Sequence, residues 1–577
     1  MMINRRLFLG GSASAAALAA LAACSGSSSS SSSASATPVG LAASDINPQD
    51  RSSLQQGGTL RLAMDAMIPN YNPLHIDGNI ADNGSVLQWF TGIQNWIYAD
   101  DASFTPRTEF CQDYTEEETD GNTVITLTLN PDAKWNSGDP ITYADYQGVW
   151  KACNGTDDAF TAMVASTDGW SNITSVEQGS DEFEVVVTFD GAYPDWSAVL
   201  SGTIPPAALT ASPEAFKSWT DASNTDYWTG PYLVTKADSS AQQLTLEANP
   251  AWWGDAPLLD SITLKVINSS AQGTAFANNE LDVVTPIIDS STYQQCGQRS
   301  DGEVRQSSGV QWRHFTMNGS SGVLADQAVR QAIVRGIDRV TITEADLQGL
   351  PVPASQLQLG NHLFMPQDSD YQDNSGNSTY DKEAATQALE DLGWTLADGA
   401  DYRTKDGETL SIKYLRLPDA STSATEGKIF QSNMKDIGVE VVMDDTNPDD
   451  FFAERITKGK FEIVTFTWVG TPYPMNNIGQ VYGKGSASNY TGVSDDELET
   501  LIDEVATEAD HTKRVELANQ ADQKIWELAT VTPIYARADY TAVPANLANY
   551  GSFGLSTPRP EDIGYTDLSG ATATPSA

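Results

Sequence analysis

The chain has 577 residues, too many for one hydrophobic core, which implies two or three domains. Its 77 acidic residues against 32 basic ones give a formal net charge of −45. A surface of that sign repels nucleic acid and anionic lipid and excludes both as partners; it suits the solubility of an exported protein.

Taken from the N-terminus, Met1–Arg6 carries two arginines and no acid, and Leu7–Ala23 is apolar or small and uncharged. The apolar stretch is shorter than the ~20 residues of a membrane span, so it reads as a secretory signal. Leu21-Ala22-Ala23-Cys24 has the pattern of a bacterial lipobox. It predicts cleavage before Cys24 and acylation of that cysteine, anchoring the chain to the outer face of the cytoplasmic membrane. Asn4-Arg5-Arg6-Leu7-Phe8-Leu9 resembles a twin-arginine export signal, and a general secretory route fits equally well. Residues 24–56 are rich in Ser and Ala and read as a disordered tether, and 569–577 as a disordered tail. Cys111, Cys153 and Cys296 remain after Cys24; one disulfide, Cys111–Cys153 for instance, fits an oxidising compartment. The four histidines are far apart, no metal-ligand spacing exists, and no cofactor is implied.

The folded part begins near Gly57-Gly58. Thr59–Met64, Val124–Leu129, Phe183–Phe189 and Ile262–Ile267 alternate as strands. Thr142 with Asp145 marks the start of a helix over Ile141–Ala152. Gln327–Ile337 has helical spacing. Ser494 with Glu497 forms a capping box before a long helical run from Asp495 to about Leu528. Leu410–Leu415, Thr425–Ile437, Val439–Met443 and Phe461–Thr467 read strand, helix, strand, strand, which predicts a βαβ crossover and a parallel sheet. Ligands of open α/β sheets sit beyond the carboxyl ends of strands. The loop leaving the last of these strands, Trp468 to Pro474, combines aromatics with Gly and Pro and suits a ligand pocket.

Several blocks together carry a resemblance. Gly57-Gly58-Thr59-Leu60-Arg61, Asn72-Pro73 and Ala133–Asp145 (AKWNSGDPITYAD) come first. Thr229-Gly230-Pro231-Tyr232, Glu247–Gly254 (EANPAWWG) and Asn279-Glu280-Leu281-Asp282 follow. Val329–Ile333, Gly336–Arg339 and Tyr380-Asp381 with Leu392-Gly393 complete the order. The set resembles bacterial extracellular solute-binding proteins of the oligopeptide and dipeptide class. Each block also has a plain structural use, and Arg330 and Arg339 read as residues that fix helix ends.

The resemblance implies an α/β, three-domain, periplasmic-binding-protein-like fold whose two lobes close on a central cleft about a hinge. It implies a discontinuous first lobe (57–100, 195–305 and 530–568), a small additional domain (101–194) and a second lobe (306–529). The implied function is capture of a peptide or other small solute by a monomer and its delivery to ABC permease subunits; a role in cell-envelope glycolipid assembly is the alternative. No enzyme is expected, because no Gly-x-Ser-x-Gly elbow is present and Ser432-x-x-Lys435 lacks a Lys-Thr-Gly partner. The expected ligand contacts are Tyr71, Trp228, His314, Phe315, Trp468, Gly470, Thr471, Tyr473, Asn489 and Tyr490. Similar peptide binders carry an acid for the ligand's amine where this chain has Thr471, and no acid lies between Trp468 and Tyr490.

Overall fold

The computed structural model describes residues 41–571 except 203, 321 and 558; the signal, Cys24 and the tail from 572 lie outside the described residues. The chain starts in one sheet with β1 (Thr59–Met64), whose Leu60, Leu62 and Met64 alternate into a core. It then leaves for a second sheet: β2 (Cys111–Thr119), β3 (Asn122–Leu129), helix α1 (Tyr143–Cys153), β4 (Ile173–Gln178), β5 (Glu184–Phe189) and the short helix α2 (Trp196–Val199). This sheet is antiparallel in the order β2-β3-β5-β4. Thr142 caps α1 and its N–H donates to the Asp145 carboxylate at 2.9 Å, the reciprocal cap that the sequence signals.

The chain returns to the first sheet through β6 (Tyr232–Asp238), β7 (Gln243–Ala248) and β8 (Ser261–Val266), giving the order β1-β8-β7-β6 with β1 parallel to β8. The motif blocks meet where these two units join. Thr229 Oγ1 donates to the Lys134 carbonyl at 2.6 Å, and Asn249 Nδ2 reaches both Asn136 Oδ1 (2.9 Å) and the Gly230 carbonyl (2.8 Å).

The second lobe follows: β9 (Gly302–Met317), α3 (Gln327–Arg335), β10 (Ser411–Arg416), α4 (Ser421–Asp436), β11 (Glu440–Asp445), β12 (Ile463–Val469), α5 (Asp496–Thr507), α6 (His511–Leu528) and β13 (Val531–Pro544). The sheet order is β11-β10-β12-β9-β13, with β10 parallel to both β11 and β12 as the βαβ pattern predicts. The 16-residue β9 and 14-residue β13 pair antiparallel and are longer than this sheet needs. Their far ends reach the first lobe, where the buried Arg305 donates to the Tyr550 and Leu547 carbonyls, the latter at 2.7 Å. Midway, the ladder breaks in a bulge between Ser308 and Trp312.

Arg330 and Arg339 fix chain ends. Arg330 donates to the Leu528 carbonyl at the end of α6, and Arg339 to the Leu359 and Pro533 carbonyls.

Five expectations change. The long helical run is two helices, because Asp510 starts a new one by accepting the Lys513 N–H at 2.9 Å. Its first cap is Asp495, one residue on from Ser494, accepting from the Glu497 and Leu498 N–H groups. The tether read through residue 56 is shorter: Asp45 exchanges backbone hydrogen bonds with Ser552, and Arg51 pairs with Asp562. The core of the small unit gathers residues from Ile93 to Phe216 together with Trp252, wider than 101–194, with Trp196 of α2 packed into it. Cys111 and Cys153 sit in that core as buried free thiols, and Cys296 is a third.

Candidate ligand-binding cleft

The lobes meet around the crossing of β9 and β13, and a cleft lies there. One wall is the middle of β13 (Arg537, Ala538, Asp539) with the bulge residues Gly309, Val310 and Gln311. A second is Val469 and Gly470 at the carboxyl end of β12. The facing wall comes from the first lobe, with Tyr550 and Phe553, which pack against Trp89 in that lobe's core. The placement beyond a strand's carboxyl end is the one expected of an open α/β sheet.

Of the residues expected from sequence, Gly470 lines this cleft, and its N–H donates to the Val310 carbonyl at 2.6 Å. Trp468 is the penultimate residue of β12, two positions before Gly470. Its ring lies parallel to Tyr490 (5.9 Å between centroids, 1°) and to His314 (6.0 Å, 9°), and Phe466 meets all three edge-on. Burial, with the Arg313 cation adding to it, holds the His314 imidazole well below its ordinary pKa, so the ring is neutral. Its Nδ1 bonds Thr316 Oγ1 at 3.0 Å, and its buried Nε2 has no partner among the described residues.

Thr471 Oγ1 accepts the Tyr473 N–H at 3.2 Å and shapes the loop. Tyr473 then crosses to the other side of the cleft, where its hydroxyl meets Tyr98 Oη at 2.5 Å and Ser197 Oγ at 3.0 Å. Burial pushes the Tyr473 phenol up to about 12, so it stays protonated and able to donate.

Four expected contacts are placed elsewhere. Tyr71 and Trp228 pack edge-to-face in the first-lobe core, with Trp219 against both. Trp228 is fully buried and spends its indole N–H on the Ala222 carbonyl. Phe315 points to the opposite side of β9 from His314 and packs on Phe430 in the second-lobe core. Asn489 is consumed in its own loop, donating to the Tyr482 carbonyl (2.9 Å) and accepting from Thr491 Oγ1 (2.6 Å). Aromatic size is what drew Tyr71, Trp228 and Phe315 into cores.

Sequence reasoning missed Arg537, Asp539, Tyr550 and Phe553. The signal for the first two is present: two charges at alternate positions inside the otherwise uncharged Val531–Val543 run. Among the described residues, no group of three His, Cys, Asp or Glu could hold a metal ion, and no helix is long and apolar enough to cross a membrane.

Comparison with known proteins agrees with this architecture. Residues 105–490 match the model of bacterial extracellular solute-binding proteins, family 5. The oligopeptide-binding protein OppA of Mycobacterium tuberculosis is 37% identical over 534 residues, 91% of this chain and 87% of that protein. The nickel-binding periplasmic protein of Escherichia coli is 23% identical over 467 residues, 78% of this chain and 81% of that one. Among solved structures, the periplasmic EDTA-binding protein EppA superposes with a TM-score of 0.81 at 22% identity, covering 93% of this chain and 100% of its own. The oligopeptide-binding protein AppA of Bacillus subtilis, in complex with a nonapeptide, gives 0.71 at 18% identity, covering 89% and 99%. The two structures establish the periplasmic-binding-protein fold; the family match and the 37% identity go further, and the chain belongs to the bacterial extracellular solute-binding proteins of family 5.

Proposed function

We propose that this chain captures a peptide outside the cytoplasm and hands it to the membrane subunits of an ABC importer. It acts by binding, without chemistry, as a monomer held to the outer face of the cytoplasmic membrane through lipidated Cys24. The observation that carries the peptide reading is the 37% identity, over 91% of the chain, to an oligopeptide-binding protein. The cleft supports it. Tyr550 and Phe553 line it with apolar rings, the bulge brings strand backbone to its wall, and Arg537 and Asp539 line it with residues of opposite charge. A peptide presents those same three chemistries.

A thermal-shift screen of the mature chain carrying Cys24→Ser tests the reading, with mixed peptides, amino acids, oligosaccharides and Ni²⁺ as probes. Ligand at a hundredfold its dissociation constant stabilises by about 2.7 kcal/mol. A rise with peptides supports the reading, and a rise confined to another class assigns the cleft to that class instead. For the anchor, labelled fatty acid should enter the unmodified chain in cells and be absent from Cys24→Ser.

A further inference from the structure

The cleft contains an arginine, Arg537, that forms no ion pair among the described residues. Arg537 stands opposite the bulge, where the backbones pass closely: a Cβ at Gly309 would lie 2.1 Å from the Arg537 carbonyl oxygen. Its Nε is buried and makes no hydrogen bond, and its guanidinium enters no ion pair among the described residues. The contrast along these two strands is sharp. Arg313 is held by Glu426 and Arg305 by Glu303. In a chain with 77 acidic residues, an arginine lacking one is not explained by supply. A bulge beside a cleft is a device that re-aims a side chain.

We infer that Arg537 is the anchor for a carboxylate of the ligand, so that a bound peptide points its carboxyl terminus at the strand crossing. The inference rests on the peptide reading above and deepens it. A guanidinium fork matches a carboxylate with two parallel hydrogen bonds. Asp539 lines the same cleft two residues further along β13, about 6.6 Å away along the strand. Thr471 fits this scheme. The loop after Trp468 offers no charge for an amine, and charge recognition moves to β13.

The test is titration calorimetry on the mature chain carrying Cys24→Ser, with alanine peptides of two to nine residues, each as free acid and as carboxyl-terminal amide. The free acids should bind at least tenfold more tightly than the amides. Arg537→Ala should abolish that preference and Arg537→Lys should keep part of it. The empty Arg537→Ala protein should melt no lower than the parent, since no protein partner is lost; an arginine with a structural role would lower it. Equal binding of acids and amides by the parent, or an acid preference surviving in Arg537→Ala, overturns the assignment and leaves the peptide reading standing. If no peptide binds, the peptide reading fails, and succinate, citrate and EDTA become the probes. Stabilisation by any of these that is lost in Arg537→Ala supports the assignment, and no shift with all three overturns it.

Discussion

Arg514 on α6 and Asp195, the residue before α2, form a buried two-point ion pair between the second lobe and the small unit, with Nη1 to Oδ1 at 2.9 Å and Nη2 to Oδ2 as the second contact. Arg514 Nε also donates to the Val505 carbonyl at 2.8 Å, so the same side chain ties α5 to α6. The Tyr473 hydroxyl, bonded to Tyr98 and Ser197, makes a second contact between the same two bodies. Together they fasten the second lobe to the small unit.

Breaking the ion pair should open the molecule. Stranding one partner of a buried pair costs about 3–5 kcal/mol, and here the stranded charge can reach water by lobe separation instead of unfolding. Asp195→Asn and Arg514→Ala should each enlarge the radius of gyration in solution scattering and speed ligand dissociation. Asp195→Asn leaves the Arg514–Val505 bond in place, which separates loss of the clasp from damage to α5. An unchanged radius and dissociation rate in both variants would sink the clasp.

Tyr473→Phe should act in the same direction and more weakly. It deletes one hydroxyl with two partners, at about 1 kcal/mol net per hydrogen bond. Dissociation of bound peptide should quicken several-fold with little change in melting temperature. A double-mutant cycle with Ser197→Ala should show coupling, because the two changes remove the same contact. Additive effects would mean that Tyr473 works through its ring alone.

Trp468→Ala should cost both stability and binding. The ring packs against two apolar clusters of the second lobe and is stacked between His314 and Tyr490. Truncating a fully buried tryptophan costs ~3–5 kcal/mol, and a half-buried one less. Trp468→Phe should restore most of the stability measured by urea denaturation. If it also restores peptide affinity, Trp468 is a wall of the cleft and not a specific contact.

How far the sequence reached can be argued from these residues. Strands with alternating burial, such as Thr59–Met64, were legible because the period of two needs only the chain itself. So was the crossover through α4, since parallel strands require a connection of that length. The motif blocks identified the family while saying little of the ligand, because Lys134, Asn136, Thr229 and Asn249 are spent on joining two units of the fold. The lining of the candidate cleft was legible in part. Gly470 and Trp468 follow from the carboxyl-end rule. Tyr71 and Trp228 were misplaced because an aromatic in a loop looks the same in sequence whether it faces a ligand or a core. Arg537 and Asp539 were missed because their environment is made by a bulge on β9, more than 200 positions away in the chain.

The pH dependence of stability should carry the signature of a buried acid in the second lobe. Asp368 accepts the Met365 N–H at 2.7 Å, yet burial, with Asp370 nearby, pushes its carboxyl up to about 6. An unfolded aspartate titrates near ~3.9. Between these values the native protein holds more protons than the unfolded chain, so this group's contribution to stability falls as pH rises and is constant above about 6. Asp145 has the same sign, since burial raises it to about 6 against the bonds it accepts from Thr142 and Ala207. Asp368→Asn keeps an acceptor for Met365 and removes the titration. Relative to the parent, the variant should gain stability steadily from pH 4 to 6 and then level off. Urea midpoints at pH 4, 5, 6 and 7 for both proteins measure this, and a difference that does not change with pH would show that the Asp368 carboxyl titrates as it does in the unfolded chain.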